Sequence, residues 1–417
     1  MHYSLTRATL WIITGYIYLI IAALISTPIL VHYLGLVLFG QYSLILATLA
    51  LVSSIDLGLS QSVVRALSRD HVFSKRRRTL WATSSVLFIL AGIVSASIAT
   101  VVAYNLHIDY TALPIIFSLA LMNNVVAHYS TLSQSEGHFG YFNAKTFIVG
   151  TANTLIAAYL SWVGQGITII LAAQLLCYLI TLLPLTFFSL KFFPRPRDGK
   201  ASLSVAKYLI SFGLKNQIGK IIGQAQSQYG KYLLAALSPL SLSAYVIAQG
   251  LVQKLVGGVA QVATAFYPAS ARSGFRPSTR KIYSQLQFAL LIIGIIAIVV
   301  YQYIGLPFLT WWLKDPQLVS SVHSFILVYR YYALLLLLTP MASTVLDSLG
   351  CPGYTSIFGT LAFIIELSTA LILYPYFGLL APAYAGIISL GIMTPVLLIF
   401  TERILSRGGN LVHSKLV

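Results

Sequence analysis

Acidic residues are nearly missing from this chain, which has nine Asp and Glu against 26 Lys and Arg in 417 residues. Cysteine is rarer still. Cys177 lies inside an apolar run and Cys351 in a loop, which leaves no disulfide framework and no thiolate metal site. The eight histidines are scattered without metal-ligand spacing. Charged residues of both signs make up only 8% of the chain while 58% is hydrophobic, a balance that excludes a soluble enzyme and requires an integral membrane protein.

What fills the chain is a series of apolar runs. Read in order they predict twelve spans: 9–32, 40–60, 80–104, 113–133, 146–163, 167–190, 207–237, 243–267, 282–304, 324–346, 357–374 and 380–400. The first follows Arg7 but is too long for a signal-peptide core and lacks a small-residue cleavage site, so it counts as a helix. The net charge of +17 then reports topology. Twenty basic residues, from Arg7 through the run Lys75, Arg76, Arg77, Arg78 and on past Lys145, Lys191 and Arg280 to Lys415, fall in loops on one side; Lys314 stands alone on the other. The positive-inside rule puts both termini in the cytoplasm, with Lys75–Arg78 as a topology anchor rather than a nucleic-acid patch.

The chain also repeats. A shift of 203 places Tyr42 on Tyr245, and a shift of 213 places SQSEGHFGY (133–141) on LDSLGCPGY (346–354), which share S-x-G-x-x-G-Y. The ten residues between the two shifts fit a long external loop from Gly305 to His323. The fold expected is therefore all-α and integral to the membrane, with twelve transmembrane helices in two six-helix bundles. An even number of spans per copy relates them by a pseudo-two-fold axis along the membrane normal. Residues 1–195 form the N-terminal bundle, 196–206 a Pro-rich, charged cytoplasmic linker, and 207–417 the C-terminal bundle with a short tail.

Five basic residues remain inside spans: Lys215, Lys220, Lys231, Lys254 and Arg330. A charge at the bilayer centre costs about 2.5–3.5 kcal/mol on insertion scales, so several on adjoining spans imply a wet, protein-lined cavity. In the seventh span Gln217, Lys220, Gln224, Ser227 or Gln228, and Lys231 recur at steps of three and four on one face. The eighth carries Gln249, Gln253, Gly257, Gln261 and Thr264 in the same rhythm, with Lys254 beside Gln253. A cationic lumen with amides suits an anion such as phosphate or carboxylate, and hydroxyl groups as on a sugar. The substrate-binding candidates are thus Lys215, Lys220, Lys231, Lys254, Arg330, Gln224 and Gln253, with Asp56 and Glu366 as coupling or ion-pair acids. In the fourth span Asn124, His128, Thr131 and Ser135 read either as cavity lining or as glue between helices, and His128 as a packed histidine. No catalytic residue and no metal site is expected.

Several short motifs carry a resemblance. The LG…FGQY turn ending at Tyr42, the D-x-G-x at Asp56, Glu136-Gly137 with Asn143, and Leu-Gly-Cys-Pro-Gly at 349–353 resemble the polysaccharide branch of the MOP exporter superfamily. Within it, the length is similar to the O-antigen repeat-unit (Wzx-type) flippases of lipopolysaccharide biosynthesis. The resemblance implies transfer of an undecaprenyl-diphosphate-linked oligosaccharide across the bacterial inner membrane by alternating access. It further implies membrane lipid, a polysaccharide polymerase and a chain-length regulator as partners, and no nucleic acid. No cofactor is implied beyond coupling to a proton or sodium gradient. Where the family often has an acid-base pair in the seventh span, this chain departs, reading Gly230-Lys231. A MATE-type drug or cation antiporter and a lipid II-type flippase are the alternatives of the same architecture. An O-antigen polymerase would need acid or base groups in a large external loop.

Overall fold

A computed structural model describes residues 5–56, 58–69, 75–136, 138–192, 200–273 and 277–406. All regular structure among them is helical. The helices are α1 (Leu5–Ser53), α2 (Leu59–Arg69), α3 (Lys75–Asn105), α4 (Leu113–Ser135), α5 (Phe139–Thr151), α6 (Ala157–Trp162), α7 (Ile167–Phe192) and α8 (Leu203–Leu237). They continue as α9 (Pro239–Ser273), α10 (Pro277–Leu313), α11 (Pro316–Leu337), α12 (Thr339–Ser348), α13 (Pro352–Phe377) and α14 (Ala381–Ser406). Eight helical segments among the described residues are long and apolar enough to cross a membrane, so this is a multi-pass membrane protein. Two of the eight, Thr14–Ser53 and Gly353–Ser406, are 40 and 54 residues long, well beyond the roughly 20 residues that one crossing needs. The first is bent at Gly35, whose φ of 76° and ψ of 165° leave the helix.

The chain divides into two compact units, Met1–Gln228 and Tyr229–Val417. Helix α8 belongs to both. Its first turns join unit 1: Leu209 is fully buried in the apolar cluster of Leu59, Val63, Leu67, Trp81, Phe88 and Leu132, and the Gln217 amide donates to the Ser54 carbonyl. Of the expected linker 196–206, residues 196–199 lie outside the described ones and α8 begins at Leu203.

Lipid tails are as apolar as leucine, so helices in a bilayer associate by close packing and internal hydrogen bonds rather than by exclusion from water. Unit 1 follows that rule. The buried face of α3 runs Ser84, Phe88, Ala91, Ser95, Ala99 and Ala103, mostly small residues at helical spacing. Among the polar residues of α4, Asn124 and Thr131 bond back to their own helix. His128 is buried against Trp81, 4.0 Å between ring centroids, and bonds Ser84 and Ser85.

The repeat appears in backbone bonds within each unit. The His138 N–H donates to the Ser133 carbonyl and Tyr141 to His138; in unit 2 Cys351 donates to Leu346 and Tyr354 to Cys351, at the same shift of 213. Gly350, at φ 85°, supplies the left-handed residue that lets the chain leave α12.

Two expectations need correction. Residues 305–323 are not a loop: α10 runs to Leu313 and α11 starts at Pro316. Only Lys314 and Asp315 join them. Asp315 caps α11 by accepting from the Gln317 and Leu318 N–H groups, with Pro316 at the first helical position where no N–H is needed. Nor is Lys145 in a loop. Helix α5 begins at Phe139, so Lys145 sits nearly two turns inside it.

Candidate functional site

Unit 1 carries a polar network among α1, α4, α5, the π-helical turn Ala152–Ile156 and α7. The Lys145 ammonium donates to Asn123 Oδ1 at 2.9 Å, and the Tyr178 hydroxyl lies 3.4 Å from the same oxygen. Tyr42, 1% exposed, donates its hydroxyl to the Asn153 carbonyl at 3.0 Å and receives the Gln174 amide at 2.6 Å. An i→i+5 turn disturbs the regular ladder of helix carbonyls, and Tyr42 supplies a bond to one of them. Beside this network lies a cavity of about 170 Å³.

Asp56, expected as a coupling acid, sits buried at the turn into α2. Its carboxylate accepts from the Gly58 N–H at 3.0 Å and from the Ser60 hydroxyl at 2.6 Å. That is the work of a cap, holding the first turn of α2 where backbone donors lack helical partners. The charge of Lys145 acts on the same carboxylate.

Unit 2 holds a second network, around an acid. Glu366 on α13 is 4% exposed, and the Tyr229 hydroxyl stands 3.0 Å from its Oε1 and 3.4 Å from the Pro382 carbonyl. Tyr245, Tyr329 and Tyr332 complete the cluster: Tyr245 bonds Tyr329 and packs edge-on to it at 5.7 Å, and Tyr329 meets Tyr332 at 5.5 Å. A β-carbon at Gly230 would lie 1.9 Å from the Tyr245 hydroxyl, so only glycine lets α8 pass there.

Of the expected cations, Lys231 on α8 and Lys254 on α9 both belong to unit 2. Both are half-buried. Lys254 reaches the Gly250 carbonyl at 3.4 Å. Gln253 adjoins Lys254 on α9, and Gln224 is half-buried on the unit 1 part of α8. Lys215 and Lys220 lie in α8, but their side chains are outside the described residues. Arg330 keeps other company: its guanidinium bonds Gln302 of α10 at 2.5 Å and the Tyr331 hydroxyl at 3.1 Å, and lies over the Tyr331 ring.

Sequence reasoning missed three features. Lys145 was counted among the topology charges, although its place between Asn143 and an apolar run is equally the first turns of a helix. Arg77, 2% exposed, pairs with Glu136 and donates to the Leu67 carbonyl at the end of α2. The third is the cluster of Tyr229, Tyr329 and Tyr332 near Glu366, for which the sequence carries no motif.

No protein of curated function matches the chain in sequence. Solved structures do match in fold, each at low identity. A multidrug resistance MATE family transporter of the MOP superfamily, in an inward-facing conformation, aligns with a TM-score of 0.71 at 13% identity, over 96% of this chain and 95% of that one. The lipid II flippase MurJ aligns with a TM-score of 0.71 at 14% identity, over 94% and 89%. A MOP superfamily transporter from Pyrococcus furiosus, described as having a binding pocket of reversed polarity, aligns at 0.65 and 13%, over 96% and 95%. Residues 5–274 match the family described as polysaccharide biosynthesis protein. With the match covering more than half of the chain and the fold shared with transporters throughout, the protein belongs to the polysaccharide biosynthesis family and has the fold of MOP-superfamily transporters.

Proposed function

We propose that the protein is a flippase for undecaprenyl-diphosphate-linked oligosaccharide, of the O-antigen repeat-unit kind, moving it from the cytoplasmic to the periplasmic leaflet of the bacterial inner membrane. The observation that supports this reading is that Lys231 and Lys254 stand half-buried in apolar helices of unit 2. An ammonium held in low dielectric is costly, and a bound anion relieves the cost. A diphosphate supplies more than one negative charge and several acceptor oxygens. A cationic drug would add to the repulsion, which argues against a MATE-type antiporter despite the shared fold.

In this reading the 40- and 54-residue segments each cross twice, and α5–α6 and α8 also cross. That makes twelve crossings in two bundles, with both termini in the cytoplasm. The headgroup meets the lysines from the cytoplasmic side, the bundles alternate access, and the lipid tail stays in the bilayer. Bond making and breaking play no part. Glu366, enclosed by Tyr229, is the acid we assign to a coupling proton or sodium ion. A polysaccharide polymerase and chain-length regulator would act on the product.

Cells lacking the gene test the reading. Single lipid-linked repeat units are expected to accumulate on the inner leaflet while surface polysaccharide disappears; normal surface polysaccharide with no substitute flippase would reject it. Glu366→Gln is expected to leave the protein inserted but make export insensitive to collapse of the coupling gradient. Export that keeps its gradient dependence in this variant would remove Glu366 from the coupling role.

A further inference from the structure

The cavity in unit 1 has no part in the mechanism just described, yet it is built like a binding site. Its lining is mixed: Leu46, Leu49 and Leu119 are apolar, and Asn123, Asn153 and Tyr178 are polar. Among the described residues the Asn153 side-chain amide has no hydrogen-bond partner, which leaves a donor and an acceptor at the cavity lining. Asn123 is held by its oxygen, which accepts from Lys145 and Tyr178, and its NH2 group stays a donor for another partner. The Asn153 position is itself fixed by the π turn, which Tyr42 and Gln174 tie down. Such turns recur at functional sites because they re-aim one side chain out of helical register.

Size and chemistry narrow the occupant. A volume of 170 Å³ is roughly that of six waters and well below the 300–1,000 Å³ typical of drug-sized pockets. No carboxylate lines it, and an ammonium donating to Asn123 stands at its edge, so a metal cation is disfavoured. That ammonium is turned onto Asn123 and partly offset by Asp56, so the lining offers amides and a phenol rather than net charge. A body with an apolar C–H face and a rim of hydroxyls matches this mixed lining. We infer that this cavity is a subsite for a single uncharged sugar ring, with Asn123, Asn153 and Tyr178 binding hydroxyls and Lys145 a positioning residue for Asn123.

The inference rests on the transport reading, and the test separates the two. In full-length protein with Cys177→Ala and Cys351→Ala, Ala50→Cys and, separately, Ser53→Cys place a thiol in the cavity. A small neutral thiol reagent is applied to the purified protein in detergent, with glucose, galactose or N-acetylglucosamine, with sodium phosphate, or with glycerol. At twice the dissociation constant, mass action gives about threefold slower labelling. The expected result is such slowing at both positions by at least one of the sugars, not by phosphate or glycerol, and its loss when Asn123→Ala is added to Ser53→Cys. Labelling unaffected by every sugar at both positions overturns the inference, as does equal slowing by phosphate, which would make this an anion pocket. Sugar-dependent slowing alongside normal lipid-linked intermediates in gene-deleted cells would reject the transport reading and leave the subsite standing.

Discussion

Arg77 shows how far a single residue can depart from the pattern around it. In the run Lys75–Arg78 it is one basic residue among four, all readable as topology. Once α3 begins at Lys75, helical phase separates them: position 77 shares a face with Leu80, Trp81 and Ser84, all buried. Its guanidinium is drawn inward and meets Glu136. Removing one member of a buried pair strands the other, so Arg77→Ala is expected to destabilise unit 1 by about 3 kcal/mol, the low end of the usual range because Glu136 remains 16% exposed. Replacing both residues, Arg77→Met with Glu136→Leu, is expected to cost less than the single change. Thermal melting of the purified variants in detergent measures this directly; equal losses in the single and double variants would show that the pair does not act as a pair. Lys145 teaches the same lesson. Composition located it beside a span, and only the helix start at Phe139 shows that it points into one.

At the scale of elements, long apolar helices were legible and their interruptions less so. Tyr42 and Tyr245, aligned by the internal repeat, are both buried to 1% exposure, and each anchors the polar network of its own unit. Repetition of a residue carries that much because a buried phenol must find a hydroxyl partner in each copy. The stretch 305–323 misled because the ten residues that separate the two repeat shifts had to be placed somewhere, and a loop was the expected place. In fact Asp315 and Pro316 are the two residues that start a helix without an unsatisfied donor. The turn before α2 is constrained more tightly than its sequence suggests. Gly58 has φ 67°, and a β-carbon there would lie 2.3 Å from the Gly213 carbonyl oxygen of α8. Gly58→Ala therefore meets backbone on one side and left-handed strain of about 1–2 kcal/mol on the other. The expected outcome is a marked fall in correctly folded protein, read by size-exclusion chromatography of a fluorescent fusion. A monodisperse peak of wild-type height would show that α2 and α8 can separate at this point at little cost.

For the molecule as a whole, stability and transport should pull in opposite directions at the lysines. The cationic character of the seventh and eighth spans was readable from composition, because an ammonium in a span always asks for a reason. How far Lys231 and Lys254 are buried was not readable, since it depends on how α8 and α9 pack inside unit 2. Without an anion the two charges raise the energy of the resting protein, and a substrate diphosphate lowers it. Lys231→Gln or Lys254→Gln should therefore raise the melting temperature of the empty protein while reducing export of surface polysaccharide, and the double variant should do both to a greater extent. A merely structural lysine behaves otherwise: its loss lowers melting temperature and export together. Melting curves set beside surface polysaccharide levels for the three variants distinguish the cases. A fall in both for either single change would mean that the lysines hold the unit together rather than await an anion, and the diphosphate reading would lose its main support.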